Sequence, residues 1–430
     1  MDEKKDNLTA ELNEEAVVET DNAEAVADAT QALPQVEGEA NACDTSNASE
    51  QPENPRKKSQ IWGNIFFLVS IALSIVLMSL FASSYDSGDN KDKHFAEVFV
   101  EVFSNINVKY LLISLATLLL MIVLDSLKYF VIMRATRVGA NYTTALTVGL
   151  LGKYYDYITP FSSGGQPMQI YYLHKKGISG GESSAVIFIK FAFNMTMWLI
   201  ICFCLMIFNR GALYQYVTDA TQLKVFQVGG WIGFAVNCAL PLLILSCVVF
   251  PKMTWAITRW VLNIGYKLKI VKDKDAQFER GKQAVSDFVS AFVSMIKRPF
   301  HSIALALLCI AEPLLGMLLP YFVVVALGSA SIPSLSTFDP QLMLAIMTLN
   351  VYVQMSVTIV PTPGNSGAME SAFMMALVNI SEGVLFWTAF SWRFLSYYSY
   401  IIIGFVITLV QLIKRNRHRA GRATTLRKGN

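Results

Sequence analysis

The chain of 430 residues is 53% hydrophobic and carries 35 Lys/Arg against 32 Asp/Glu, for a formal net charge of +3. Those totals suit a membrane protein and a large soluble core equally well, but the distribution excludes a purely soluble chain. Several stretches run for about 20 residues with few or no charges, the length that spans the hydrocarbon layer of a bilayer.

The chain opens on an acidic segment. Residues 1–54 hold 15 Asp/Glu against 2 Lys, about −13, which leaves about +16 for the remainder. This part lacks aromatics and cannot bury enough apolar surface to offset ordering entropy, so 1–58 reads as a disordered cytoplasmic tail. The first apolar run, Ile61–Ala82, has no polar face at the 3.6-residue period of a soluble helix. It directly follows Arg56-Lys57-Lys58, the arrangement of an uncleaved signal anchor rather than of a cleavable leader.

Further spanning helices are expected at Val108–Leu127, Ser184–Phe208, Val225–Phe250, Phe300–Leu327 and Val384–Ile413. Two more apolar regions, Tyr142–Leu173 and Gln341–Ile380, are broken in the middle by Pro and Gly. The first break is Thr159-Pro160-Phe161-Ser162-Ser163-Gly164-Gly165-Gln166-Pro167. The second is Pro361-Thr362-Pro363-Gly364-Asn365-Ser366-Gly367. Within Val225–Phe250, Gly229 and Gly233 form a small-xxx-small pair suited to close helix packing.

Lys/Arg placement sets the expected topology. Lys128, Arg134 and Arg137 mark a return to the inside, as do His174-Lys175-Lys176. The stretch 251–299 reads as an amphipathic cytoplasmic linker, with Trp255 and Trp260 among its bases, suited to an anionic inner leaflet. The tail 414–430 has seven Lys/Arg and no acid, so it too is expected inside. The 83–107, 209–224 and 328–340 loops fit the outside. The first broken segment then enters and leaves from the cytoplasm, and the second from the opposite face. The expected fold is all-α: a membrane domain, 59–413, of six crossings and two oppositely oriented re-entrant hairpins. Such a pair is the sequence sign of an inverted-repeat transporter. Eight crossings is the alternative.

Backbone at membrane depth must have its N–H and C=O groups satisfied, so a Pro/Gly break is tolerable only inside protein or beside a watery cavity. It also exposes helix N-termini, which attract anions. Pro160, Gly164, Gly165, Gln166, Pro361, Pro363, Gly364, Asn365 and Gly367 are therefore candidate substrate-binding positions. Ionisable and amide groups inside the apolar segments join them, because they are costly there. Lys153 and Asp156 are three apart, on one helix face where they can pair. Lys190 and Asn194 are four apart. Glu312 precedes Pro313 in mid-helix, and Glu370 falls in the first turn after the second break. Arg393 sits among aromatics, with Glu370 and Glu312 as candidate partners. Simple readings compete: snorkelling for Lys153 and Lys190, capping for Glu370, a structural pair for Arg393. Of the six cysteines, five lie in apolar segments and none forms Cys-x-x-Cys, and the four histidines are far apart. No metal ligand, catalytic nucleophile pair or cofactor is expected, and nucleic acid is not an expected partner.

The run Thr159 to Leu173, including Gln169, followed by Lys175-Lys176-Gly177, resembles the first signature of the lysylphosphatidylglycerol synthase/flippase-type transmembrane region. The run Pro361 to Glu370 resembles its second, and Arg393 to Gly404 is similar to its closing helix. The resemblance covers about 55 to 420 and implies a helical membrane domain that moves a lipid, such as an aminoacylated phosphatidylglycerol, between leaflets. Many members carry Arg where Gln169 stands, and an Arg/Asp pair where Lys190 and Asn194 stand. The full-length synthases also carry a soluble aminoacyl-transfer domain after the membrane part, for which this sequence offers no counterpart. The resemblance implies a bacterial cytoplasmic membrane location. The expected function is a lipid flippase whose partners are anionic or aminoacylated phospholipids, with a second copy of the chain and a separate lipid-modifying enzyme as further candidates. A lipid-headgroup-modifying enzyme and a scaffold acting through the acidic tail are the alternatives.

Overall fold

The computed structural model describes residues 100–250 (except 101 and 140), 256, 259, 260, 263, 286, 289–328, 338–411 (except 382 and 383) and 413. The predicted helix Ile61–Ala82, both charged tails and most of the 251–299 linker lie outside the described residues. Among those described, the chain is helical throughout, with no strand.

The helices, in order, are α1 Val108–Ala135, α2 Tyr142–Ile158, α3 Gly165–Lys175, α4 Gly180–Phe208, α5 Gly211–Tyr216, α6 Ala220–Val249, α7 Pro299–Gly328, α8 Pro340–Ser356, α9 Ala368–Leu377 and α10 Leu385–Arg393. A π-helical turn, Phe394–Tyr398, continues α10 into a helix described without a break as far as Gln411. Four of these elements are long and apolar enough to cross a membrane: α1, α4, α7 and Leu385–Gln411.

The surface pattern of α1 explains why it suits lipid. Leu111, Leu112, Leu115, Leu119 and Leu120 are exposed, whereas Ser114, Thr117, Asp125, Ser126 and Lys128 are buried. This inverts the arrangement of a soluble helix. The hydroxyls of Ser114, Thr117 and Ser126 donate back to carbonyls four residues earlier, at 2.7–2.9 Å, so they need no water. The buried face of α1 packs along α7.

Local signals fix the helix starts. Asn141 caps α2 through Thr143 N–H at 3.0 Å. Ser179 and Glu182 form a reciprocal capping box, so α4 begins four residues before the predicted Ser184. Asp219 caps α6, and Asp339 caps α8 with Pro340 at the first helical position.

The predicted glycine pair on α6 does bring helices close. A Cβ on Gly229 would lie 3.0 Å from the Ser356 Cβ, and one on Gly233 would lie 1.8 Å from the Met355 carbonyl oxygen. Gly233→Leu is therefore expected to push α6 off α8, at a cost of about 1–3 kcal/mol. A lower apparent melting temperature of the detergent-purified protein would show it, and an unchanged one would count against this packing.

Candidate functional site

Both Pro/Gly breaks are sharp turns between helices that pack against one another, and the two turns touch. α2 ends at Ile158 and is followed by Thr159, whose extended backbone suits the residue before a proline. Phe161 and Ser162 then take left-handed φ values of 55° and 50°. The chain re-enters helix at Gly165, whose N–H donates to the Asp156 carboxylate at 2.9 Å. Gly164 N–H donates to Thr159 Oγ1 at 2.9 Å. A Cβ on Gly165 would lie 2.3 Å from Asp156 Oδ1, so only glycine admits this contact.

The second turn is built the same way. Gly364, Asn365 and Gly367 have φ values of 54°, 55° and 87°. Asn365 Nδ2 donates to the Val357 carbonyl at 3.2 Å, which satisfies a carbonyl just past the end of α8. Glu370 reaches back to accept from Gly367 N–H at 2.6 Å. Its other oxygen accepts from Arg393 Nε at 2.6 Å, and Arg393 Nη2 donates to the Gly364 carbonyl at 2.6 Å. One Arg–Glu pair thus clamps the turn, the start of α9 and the end of α10. It lies where α-helix gives way to π-helix, a deviation often found at functional sites.

Tyr397 stitches the turns together. Its hydroxyl donates to the Tyr157 carbonyl at 3.0 Å and accepts from Ser366 Oγ at 3.2 Å. Its ring lies 4.1 Å from the Arg393 guanidinium and 4.8 Å from the Tyr157 ring. Tyr157 in turn donates to the Ser396 carbonyl at 3.2 Å.

Beside the turns lies a network of buried charges. Lys128, with no exposed surface, contacts Glu312 at 3.0 Å, Asp125 at 3.4 Å and Asn194 Oδ1 at 2.5 Å. Lys190 pairs with Asp125 at 3.0 Å and stands 5.0 Å from the Tyr129 ring. Lys153 approaches Glu312 at 3.9 Å and keeps 30% of its side chain exposed. Gln169 donates to Tyr129 Oη at 2.7 Å and to the Val148 carbonyl at 3.0 Å. Gly152 makes room for it, since a Cβ there would lie 1.9 Å from the Gln169 amide nitrogen.

Turns and charges enclose a cavity of about 300 Å³, walled by groups that include Lys153, Asn194, Glu312, Asn365 and Arg393. A smaller cavity, about 100 Å³, shares Lys153 and Asn194 with it and is lined by Asp125, Asp156, Gln166, Gln169 and Lys190. Of the predicted positions, Gly364 also faces the larger space. Pro160, Gly164, Gly165, Pro361, Pro363 and Gly367 shape the turns without lining either cavity, and Glu370 is wholly buried.

Two expectations change and one choice is decided. Lys153 and Asp156 do not pair: Asp156 is taken by the Gly165 N–H and Lys153 turns to Glu312. Lys128 is no interfacial marker, because α1 continues past Leu127 to Ala135 and carries Lys128 into the core. Arg393 chooses Glu370 rather than Glu312. Asp125, Lys128 and Tyr397 were not anticipated as site residues. The spacing of Asp125 and Lys128, three apart in an apolar run, was the available signal for the first two.

A comparison with curated proteins returned no match, and neither did one with solved structures. The family model described as "Lysylphosphatidylglycerol synthase TM region" matches residues 67–404, most of the chain and every cavity-lining residue named above. With this match and its membrane-length apolar helices, the chain is a multi-pass membrane protein that belongs to the lysylphosphatidylglycerol synthase transmembrane-region family.

Proposed function

We propose that this protein moves a phospholipid, anionic or aminoacylated and held by its phosphate, between the two leaflets of a cytoplasmic membrane, with both termini inside and the two broken segments entering from opposite faces. The observation that carries this reading is the meeting of both turns at one polar cavity beside a partly exposed lysine. Turns that served only to reverse the chain would have no need to converge at depth.

The charges support the same reading. Replacing a buried ion network by well-packed apolar side chains is often neutral or stabilising, so stability alone gives no reason to keep one. Here four of the five charges of the network already face partners at 3.0–3.4 Å. Lys153 is the loosely held member, and it opens on both cavities. A lipid phosphate entering the larger cavity meets Lys153 as its cation and Asn194, Asn365 and Arg393 as hydrogen-bond donors. Trp198 and Trp392 offer aromatic walls for the glycerol region.

The test is reconstitution into liposomes with fluorescent phosphatidylglycerol, lysylphosphatidylglycerol, phosphatidylcholine or polyprenyl phosphate, followed by quenching of the outer leaflet. Accelerated loss of inner-leaflet label is expected for at least one anionic or aminoacylated lipid. Lys153→Gln is expected to slow it about tenfold or more, since a charge partner at depth is worth over ~1 kcal/mol. No acceleration with any of these lipids would overturn the proposal.

A further inference from the structure

A second amphiphilic surface lies away from the cavity. The first turns of α2 (Thr143, Thr147), the end of α3 (Tyr172, Lys175, Lys176) and one stretch of the closing helix (Val406, Val410) border a groove of about 620 Å³. Its walls differ in chemistry. Val406 and Val410 are 50% and 43% exposed on a helix apolar enough to cross a membrane. The opposite rim carries two adjacent exposed cations, Lys175 and Lys176, with no carboxylate within ion-pair distance among the described residues. Lys176 Nζ stands 5.7 Å from the Tyr172 ring centre, which holds that side chain along the groove.

The depth of the groove identifies its occupant. Lys175 and Lys176 close α3, and cations at the end of a membrane helix sit where hydrocarbon gives way to headgroups. A ligand there meets an apolar wall on one side and two unneutralised ammonium groups at the top. We propose that this groove is a binding site for an anionic phospholipid, with its phosphate on Lys175 and Lys176 and an acyl chain along Val406 and Val410. Two cations without a carboxylate favour an anionic headgroup over a zwitterionic one.

The groove is separate from the central cavity. α2 and the closing helix run antiparallel, and between the two spaces Tyr154 is pressed against Gly404. A Cβ on Gly404 would lie 2.3 Å from the Tyr154 Cβ, so the seam is shut there. The site does not depend on the transport reading, and the two can fail independently.

The experiment is native mass spectrometry of the full chain purified from nanodiscs holding equal amounts of phosphatidylglycerol and phosphatidylcholine with identical acyl chains. The wild type is expected to retain phosphatidylglycerol in preference. Lys175→Gln with Lys176→Gln is expected to remove most of that preference, while Lys175→Arg with Lys176→Arg keeps it. Equal retention of both lipids by the wild type would mean that the lysines merely snorkel, and would overturn the proposal. Undiminished preference in the double Gln variant would do the same.

Discussion

Lys128→Met is expected to be the most damaging single change in the described membrane core. It removes the group that holds Glu312 at 3.0 Å and leaves that carboxylate facing Lys153 alone, at 3.9 Å. It also strips Asn194 Oδ1 of its donor. Removing one partner of a buried ion pair typically costs about 3–5 kcal/mol, because the other charge stays in low dielectric without compensation. Glu312 is 5% exposed, so the little cavity water that reaches it replaces only part of what the ammonium supplies. The prediction concerns sign as well as size. Adding Glu312→Leu to Lys128→Met removes the orphaned charge and is expected to recover most of the lost thermostability, although not transport. The check is the apparent melting temperature of both variants in one detergent, at one heating rate, since unfolding of a protein of this kind is read as a rate-dependent quantity. A double variant no more stable than Lys128→Met would mean that packing around the lysine, and not charge pairing, sets the cost.

Glu370→Gln should rank second and act differently. The carboxylate joins three elements through two bonds of 2.6 Å, to Gly367 N–H and to Arg393 Nε. Glutamine can still accept from Gly367 through its carbonyl, so the start of α9 survives. Arg393 loses its counter-ion while remaining 5% exposed, at a cost of about 3 kcal/mol. Freed, the guanidinium is expected to swing into the larger cavity that it already lines, and lipid movement should fall by about tenfold or more. Arg393→Lys makes the complementary point. An ammonium can reach Glu370 or the Gly364 carbonyl, but it lacks the planar fork that now bonds both. Thermostability should drop less than in Glu370→Gln, while flipping is impaired to a similar degree. A Glu370→Gln protein that flips lipid at the wild-type rate would remove the clamp from the mechanism.

Much of this architecture was legible in the sequence because lipid imposes simple rules. Apolar runs had to be helices, and proline clustered with glycine at Pro160–Gly165 and Pro361–Gly367 marked the interruptions, whereas the lone Pro313 and Pro320 lie inside α7. The flanking glycines then marked where the chain turns, and Gly364 and Gly367 do take positive φ. The Gly229–Gly233 pair pointed correctly to a helix contact because only small residues let backbones approach so closely. What stayed hidden was partnership at long range. Lys153 and Asp156 are neighbours on one helix face, yet Asp156 is held by the Gly165 N–H and Lys153 leans toward Glu312, a residue distant in sequence. Lys128 misled for a related reason. A lysine at the edge of an apolar run reads as an interfacial anchor, and its burial becomes evident only once Glu312, 184 positions away, is brought beside it. The π-turn after Arg393 carries no proline or glycine to announce it, since Phe394–Tyr398 are ordinary helix-compatible residues. Tyr397 was visible as one aromatic among several. Its place between Tyr157 and Ser366 follows from the meeting of the two turns, which periodicity along a single chain does not encode.

The account stands on the convergence of those turns, and a reversible tether tests it most directly. Ser162 and Asn365 lie on the two touching turns, and both line the larger cavity. In a background without the native cysteines, Ser162→Cys with Asn365→Cys should be joined by a short, reducible thiosulfonate cross-linker. Lipid flipping in liposomes should stop on cross-linking and return when the link is reduced. If the cysteines never join, the turns do not meet at the cavity and the carrier reading falls; it falls equally if the joined protein flips lipid at the rate of the reduced one, since a link across the cavity would then leave the path of the cargo open.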